Sequence, residues 1–167
     1  KAYMKRKFGD DGRLREIHQR LEGIGVAEGI RFDFDAIAVS PNTLDAHRLI
    51  RWAASAGGEV QNRIARRLFQ LYFEEGRNIG DHAVLIEAAE ECGMDVSVVS
   101  ALLPSDADRE EVRGEIATAS RMGVTGVPCF LLEGRYAVMG AQDTAVLADA
   151  IRQVAEAKAR GELNQPQ

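Results

Sequence analysis

The 167-residue chain is 46% hydrophobic and 28% charged, the composition of a globular protein with one sizeable domain, or one domain carrying an inserted subdomain. Its formal net charge of -5 argues against a nucleic-acid partner, which demands a basic face. No apolar run approaches the ~20 residues needed to span a bilayer, so no membrane partner is expected.

Lys1–Lys7 shows no initiator methionine and no signal-peptide pattern, and it reads as the middle of a helix. The chain is therefore expected to be a fragment, a processed product, or a sequence without its disordered start. Arg13–Glu28 carries Leu14, Ile17, Leu21 and Ile24 at helical spacing, and Gly29 ends that helix. Ile30–Phe34 alternates apolar with charged residues and predicts a half-buried strand.

From Pro41 to Met122 the pattern is helical throughout. Asn42 is placed to N-cap Thr43–Ala56, whose stripe is Ala46, Leu49, Ile50 and Ala53, with Gly57-Gly58 as the stop. Glu59–Glu75 follows, with Ile64, Leu68, Leu71 and Tyr72 inward and Gly76 closing it. Asp81 caps His82–Cys92 before Gly93, Val96–Leu103 ends at Pro104, and Ser105 or Asp106 opens a helix faced by Val112, Ile116 and Ala119. Short connections make this a compact helical subdomain.

The period then changes. Cys129–Leu132 and Tyr136–Met139 flank Glu133-Gly-Arg135, a hairpin signal, and Asp143 is placed to cap Thr144–Arg160 on the stripe Leu147, Ala150, Ile151 and Val154. Gly161–Gln167 is a polar tail expected to fray. The expected architecture is α/β, with residues 1–40 and 120–160 forming one portion around an inserted all-helical subdomain at 41–119.

Two cysteines, Cys92 and Cys129, are too few for a disulfide framework and form no CxxC. The histidines His18, His47 and His82 show no HxxxH or HExxH spacing, so no metal site is expected. Cys129 reads as a packed strand cysteine. Cys92 sits at a helix C-terminus, whose negative end raises a thiol pKa, which makes it the poorer nucleophile. The clusters Lys5-Arg-Lys7 and Arg63, Arg66, Arg67 read as solvated helix faces.

Val127-Pro128 enters a strand straight after Gly123-Val-Thr-Gly126, between a helix and a hairpin-helix ending. By itself an X-Pro step is an ordinary strand-start proline. In this context it resembles the thioredoxin superfamily, in which a cis-proline opens the fourth strand and faces the active-site thiols. There the preceding residue, here Val127, offers its backbone to an extended substrate.

Asn42-Thr-Leu-Asp-Ala-His-Arg-Leu49, Leu71-Tyr-Phe-Glu-Glu-Gly76, Gly123–Phe130 and Val138-Met-Gly-Ala-Gln142 together resemble the FrnE-like branch of the DsbA family, over essentially the whole chain. That branch is related to 2-hydroxychromene-2-carboxylate isomerases and kappa-class glutathione transferases. The resemblance implies a thioredoxin-like fold with an inserted helical subdomain, thiol–disulfide oxidoreductase activity on protein or small-molecule substrates, and a bacterial cytoplasmic setting. It implies no resident cofactor, with glutathione a ligand or co-substrate in the alternative isomerase or transferase reading. A second alternative is a non-catalytic domain that binds extended peptides beside Pro128.

Family members carry a CPWC-type dithiol at a helix N-terminus after a first strand, and nothing in residues 1–167 matches either. If these residues are the whole protein, no thiol oxidoreductase activity is expected, and an exposed sheet edge is expected to drive homodimerisation or other self-association. The substrate-binding candidates are Val127, Pro128, Asn42, His47, Gln142 and Asp143. His47 reads either as a packed histidine of the capping region or as a substrate contact with proton-transfer capacity. Asn42 reads as a cap, or as a ligand-facing residue by the resemblance. Gly140-Ala-Gln-Asp143 reads as a plain helix start, or as the corner where relatives bind the carboxylate end of glutathione.

Overall fold

A computed structural model describes residues 11–164, with Asp11 through its backbone only. The expected helix at Lys1–Phe8 lies outside the described residues. The chain divides into two compact units, residues 1–113 and 114–167.

In the first unit, α1 (Asp11–Ala27), α2 (Leu44–Ser55), α3 (Gly58–Phe73), α4 (His82–Glu91) and α5 (Val96–Leu102) are followed by α6 (Arg109–Arg121), which runs on into the second unit. The apolar stripes meet in one core. Leu49, Ile64, Leu71, Leu85 and Leu103 are fully buried, with Ala53, Ala88, Ala89 and Val99 filling the space between them. Each buried leucine contributes roughly 2 kcal/mol by leaving water. Asp81 and Asp95 cap α4 and α5 with their carboxylates, accepting from the amides of Ala83 and of Ser97 and Val98.

Among the described residues, one polar side chain lies in this core. Arg48 is fully buried on α2, and its five N–H donors make five hydrogen bonds. Nε donates to Ala107 O at 2.6 Å, and Nη1 to Asp45 Oδ1 at 2.8 Å and Leu103 O at 3.1 Å. Nη2 donates to Leu102 O at 2.9 Å and Ser105 O at 3.0 Å. The guanidinium lies 4.8 Å from the centre of the Trp52 ring, whose Nε1 donates to Asp108. This clamp explains why α6 starts at Arg109 rather than at Ser105 or Asp106: Leu103, Ser105 and Ala107 turn their carbonyls to Arg48 instead of into a helix.

Ile30–Phe34 is not a strand. The alternation does mark a real side, since Phe32 and Phe34 are half-buried while Arg31 and Asp33 are exposed. The rings pack on Phe73 of α3, edge-on at 6.1 and 6.4 Å, and His18 stacks on Phe34 at 4.3 Å. A strand also needs a neighbour to pair with, and here the Asp33 amide donates to Phe73 O at 2.8 Å, at the end of a helix. The segment is a strap across α3. It runs so close to Gly76 (φ 64°) that a Cβ there would lie 2.5 Å from Ala36 O.

The arginines expected to be solvated are mostly engaged. Arg63 donates to Cys92 O at 3.0 Å, and Arg67 bridges Glu75 and Glu91.

In the second unit, β1 (Cys129–Leu132) and β2 (Tyr136–Met139) pair antiparallel, with Cys129 opposite Met139 and Leu132 opposite Tyr136. The hairpin turns through Glu133 and Gly134, both at positive φ. Helix α7 (Thr144–Ala159) packs Ala150, Val154 and Ala157 towards Leu132, Tyr136 and Val138, leaving an open groove of about 420 Å³. Glu162–Asn164, placed by sequence in a frayed tail, form a 3₁₀ turn; Leu163 is buried and its carbonyl accepts from Arg135.

Two outcomes test this architecture. Gly76→Ala is expected to destabilise the chain by about 2 kcal/mol or more in urea denaturation, because it adds a clash to a positive-φ strain. Asp45 is pushed up by burial, but hydrogen bonds from His82 and Arg48 and the charge of Arg109 outweigh this and hold it below the usual carboxylate range. A carboxylate lowered in the folded state adds stability that is complete above its unfolded pKa and lost as the pH falls through the folded one. Asp45→Asn is therefore expected to cost about 2 kcal/mol at pH 7 and progressively less below about pH 4, read from paired urea titrations.

Candidate functional site

Val127, Pro128, Gln142 and Asp143 all lie in the second unit, gathered at one end of the hairpin. Gly123 (φ 85°) ends α6, and Val124–Gly126 lead into the strand. Val127 is 89% exposed, and the Val127–Pro128 peptide bond is cis. Among the described residues β1 pairs only with β2.

Pro128 is held from the side of β2. Its carbonyl accepts from the amide of Gly140 at 2.8 Å, which continues the ladder one step past the Cys129–Met139 pair. Gly140 has φ 79°, and the chain turns there into α7. Gln142 closes the turn twice: its backbone amide donates to Gly140 O at 3.0 Å and its side-chain Nε2 to Met139 O at 2.8 Å. Gly140 was not singled out from sequence as the partner of Pro128. The signal was present, since a glycine one residue past the last strand residue marks a turn at the end of a hairpin.

Asp143 takes the N-cap position of α7, as expected, but its side chain makes no cap bond; its carbonyl accepts from Val146 and Leu147. The exposed carboxylate is left to face solvent.

Asn42 and His47 belong to the first unit. The N-cap residue of α2 is Thr43, one residue later than expected, and Asn42 serves that end through Oδ1, which accepts the Leu44 amide at 3.0 Å. His47 is exposed on α2, not packed in the capping region. The histidine with a carboxylate partner is His82, whose Nε2 lies 3.0 Å from Asp45 Oδ2; Arg109 lies 3.3 Å from the same carboxyl group. Sequence spacing offered no sign of this, because the three residues sit on three helices.

Among the described residues, no three His, Cys, Asp or Glu side chains converge as a metal site would require, and no helix is long and apolar enough to cross a membrane. Both cysteines are free thiols. Burial pushes the Cys92 thiol up, beyond what neighbouring arginines recover. Cys129 is half-exposed in β1. A thiol reagent such as dithionitrobenzoate is expected to label Cys129 quickly and Cys92 only on unfolding, so that Cys129→Ser removes the fast phase.

The sequence profile of the DSBA-like thioredoxin domain matches residues 2–152. No protein of curated function matches the chain in sequence. Among solved structures, the crystal structure of a probable DsbA oxidoreductase from Streptomyces coelicolor is similar at 27% identity and a TM-score of 0.76, over 92% of this chain. The chain spans 65% of the length of that protein. Helical block, hairpin and final helix follow in the expected order, and the mostly helical α/β fold with its small sheet is thioredoxin-like. The chain belongs to the DSBA-like thioredoxin domain family.

Proposed function

We propose that this chain is the substrate-facing and helical part of a DsbA-like thiol–disulfide oxidoreductase that acts on protein or small-molecule disulfides in the bacterial cytoplasm. The observation that supports the reading is the exposed Val127–Pro128 step at the entrance to a strand, in a chain of this family. An extended substrate can hydrogen-bond to the main chain at this step, with the Val127 backbone as its partner. Asp143 at α7 is a further substrate contact of this reading, and residues 41–119 are its inserted helical subdomain.

The chemistry is exchange. A thiolate attacks one sulfur of a substrate disulfide, a mixed disulfide forms, and the other sulfur leaves as thiolate; a second thiol resolves the intermediate. Cys92 is buried with a raised pKa, and Cys129 has no neighbouring cysteine in sequence to resolve it. The reading therefore assigns the dithiol to residues outside these 167, at a helix N-terminus where the positive dipole end favours the thiolate.

Insulin reduction with dithiothreitol tests this directly. The 167 residues alone are expected to run at background, and the chain joined to its native upstream coding residues is expected to turn over. In that longer chain Val127→Pro removes one backbone donor and is expected to raise KM about tenfold with kcat less affected. Robust turnover by the 167 residues, or none by the longer chain, overturns the reading. Turnover that requires glutathione and a non-disulfide substrate assigns the protein to the isomerase or transferase class.

A further inference from the structure

We infer that Gln142 is a positioning residue for the Val127–Pro128 step rather than a ligand to the substrate. The inference deepens the reading above, because it concerns the wall at which substrate is proposed to bind. Proline has no N–H, so the Pro128–Gly140 pair of the ladder can make one hydrogen bond only, from Gly140 N to Pro128 O at 2.8 Å. A hydrogen-bonded pair of an antiparallel ladder otherwise shares two such bonds. Everything on the β2 side that holds Pro128 through the main chain therefore passes through the direction of one amide, that of Gly140.

That direction is set by the turn that follows. Gly140 is at φ 79°, a region in which glycine has no steric preference to hold it. Gln142 supplies the missing constraint from both of its donors, with its amide on Gly140 O at 3.0 Å and its carboxamide on Met139 O at 2.8 Å. Those two carbonyls bracket the Gly140 amide, so fixing them fixes the peptide plane that carries it. The side chain is exposed, yet its donor end is turned back onto the main chain. A carboxamide engaged in this way has given up the group with which it would otherwise greet a ligand.

The test compares Gln142→Met, which keeps length and volume and loses the donor, with the unchanged chain, without any substrate present. Amide hydrogen exchange of Gly140 is expected to accelerate about fivefold, the loss of one hydrogen bond of ordinary net strength, while Phe130 and Val138 in the middle of the hairpin exchange as before. Gln142→Lys, long enough to return a donor to Met139 O, is expected to recover most of the protection. In the longer, active chain Gln142→Met is then expected to raise KM about as much as the lost protection, and Gln142→Lys to restore it. Unchanged Gly140 exchange in Gln142→Met overturns the inference, as does a KM that rises in both variants alike. If Gly140 exchange accelerates and Gln142→Lys recovers it but the longer chain shows no thiol–disulfide turnover, the positioning role stands and the proposed function fails.

Discussion

The segment between α5 and α6 brings the carbonyls of Leu102, Leu103, Ser105 and Ala107 against α2, and a carbonyl taken out of water there must find a donor. One side chain meets all four. The Arg48 guanidinium is planar, always charged and forked, so a single residue on α2 can hold a whole turn of backbone from another part of the chain. Its charge is answered by Asp45 one turn earlier, which also holds His82 of α4 and Arg109 of α6. Four helices thus meet at one ion pair. A lysine carries the same charge but only three donors, and could not close the same set.

The apolar core and this polar clamp divide the work. Leu49, Ile64, Leu71 and Leu85 supply most of the free energy, without saying which way the connection after α5 must run. The clamp is directional, and it sets where α6 begins. Trp52 completes it by stacking on the guanidinium while tying Asp108, itself at positive φ, through its indole N–H. Among the described residues the second unit has no comparable core: α7 has no fully buried residue, and the two-stranded sheet depends on few bonds. At such a site individual turn residues carry more of the geometry, as Gly140 and Gln142 do for Pro128.

Helices, hairpin and caps were legible from periodicity and punctuation because those signals are local. Glycine after a stripe, aspartate before one, and Glu-Gly-Arg between two apolar runs each describe what a few consecutive residues can do. The family was legible for a related reason: several short runs in the right order constrain a fold jointly where none does so alone. What failed were statements that needed a partner. Ile30–Phe34 has the alternation of a strand, but alternation marks only a buried side, and the pairing edge was replaced by the end of α3. The His82–Asp45 pair had no local signal either, because its two residues stand on different helices.

The sequence by itself therefore determined the order and type of most elements, the inward faces of α2 and α3 though not those of α1, α6 and α7, where Leu21, Ile24, Ile116 and Ile151 are exposed, and membership of a family with Val127–Pro128 at the head of a strand. Those properties follow from side-chain spacing along a regular backbone, which is present before the chain folds. Tertiary structure alone decided that Arg48 is buried and fully bonded, that residues 30–34 are a strap, and that the Gln142 carboxamide turns back on Met139. Each of these depends on hydrogen-bonding groups whose partners come from other turns of the chain. Spacing tells where a donor stands, but only packing brings it an acceptor.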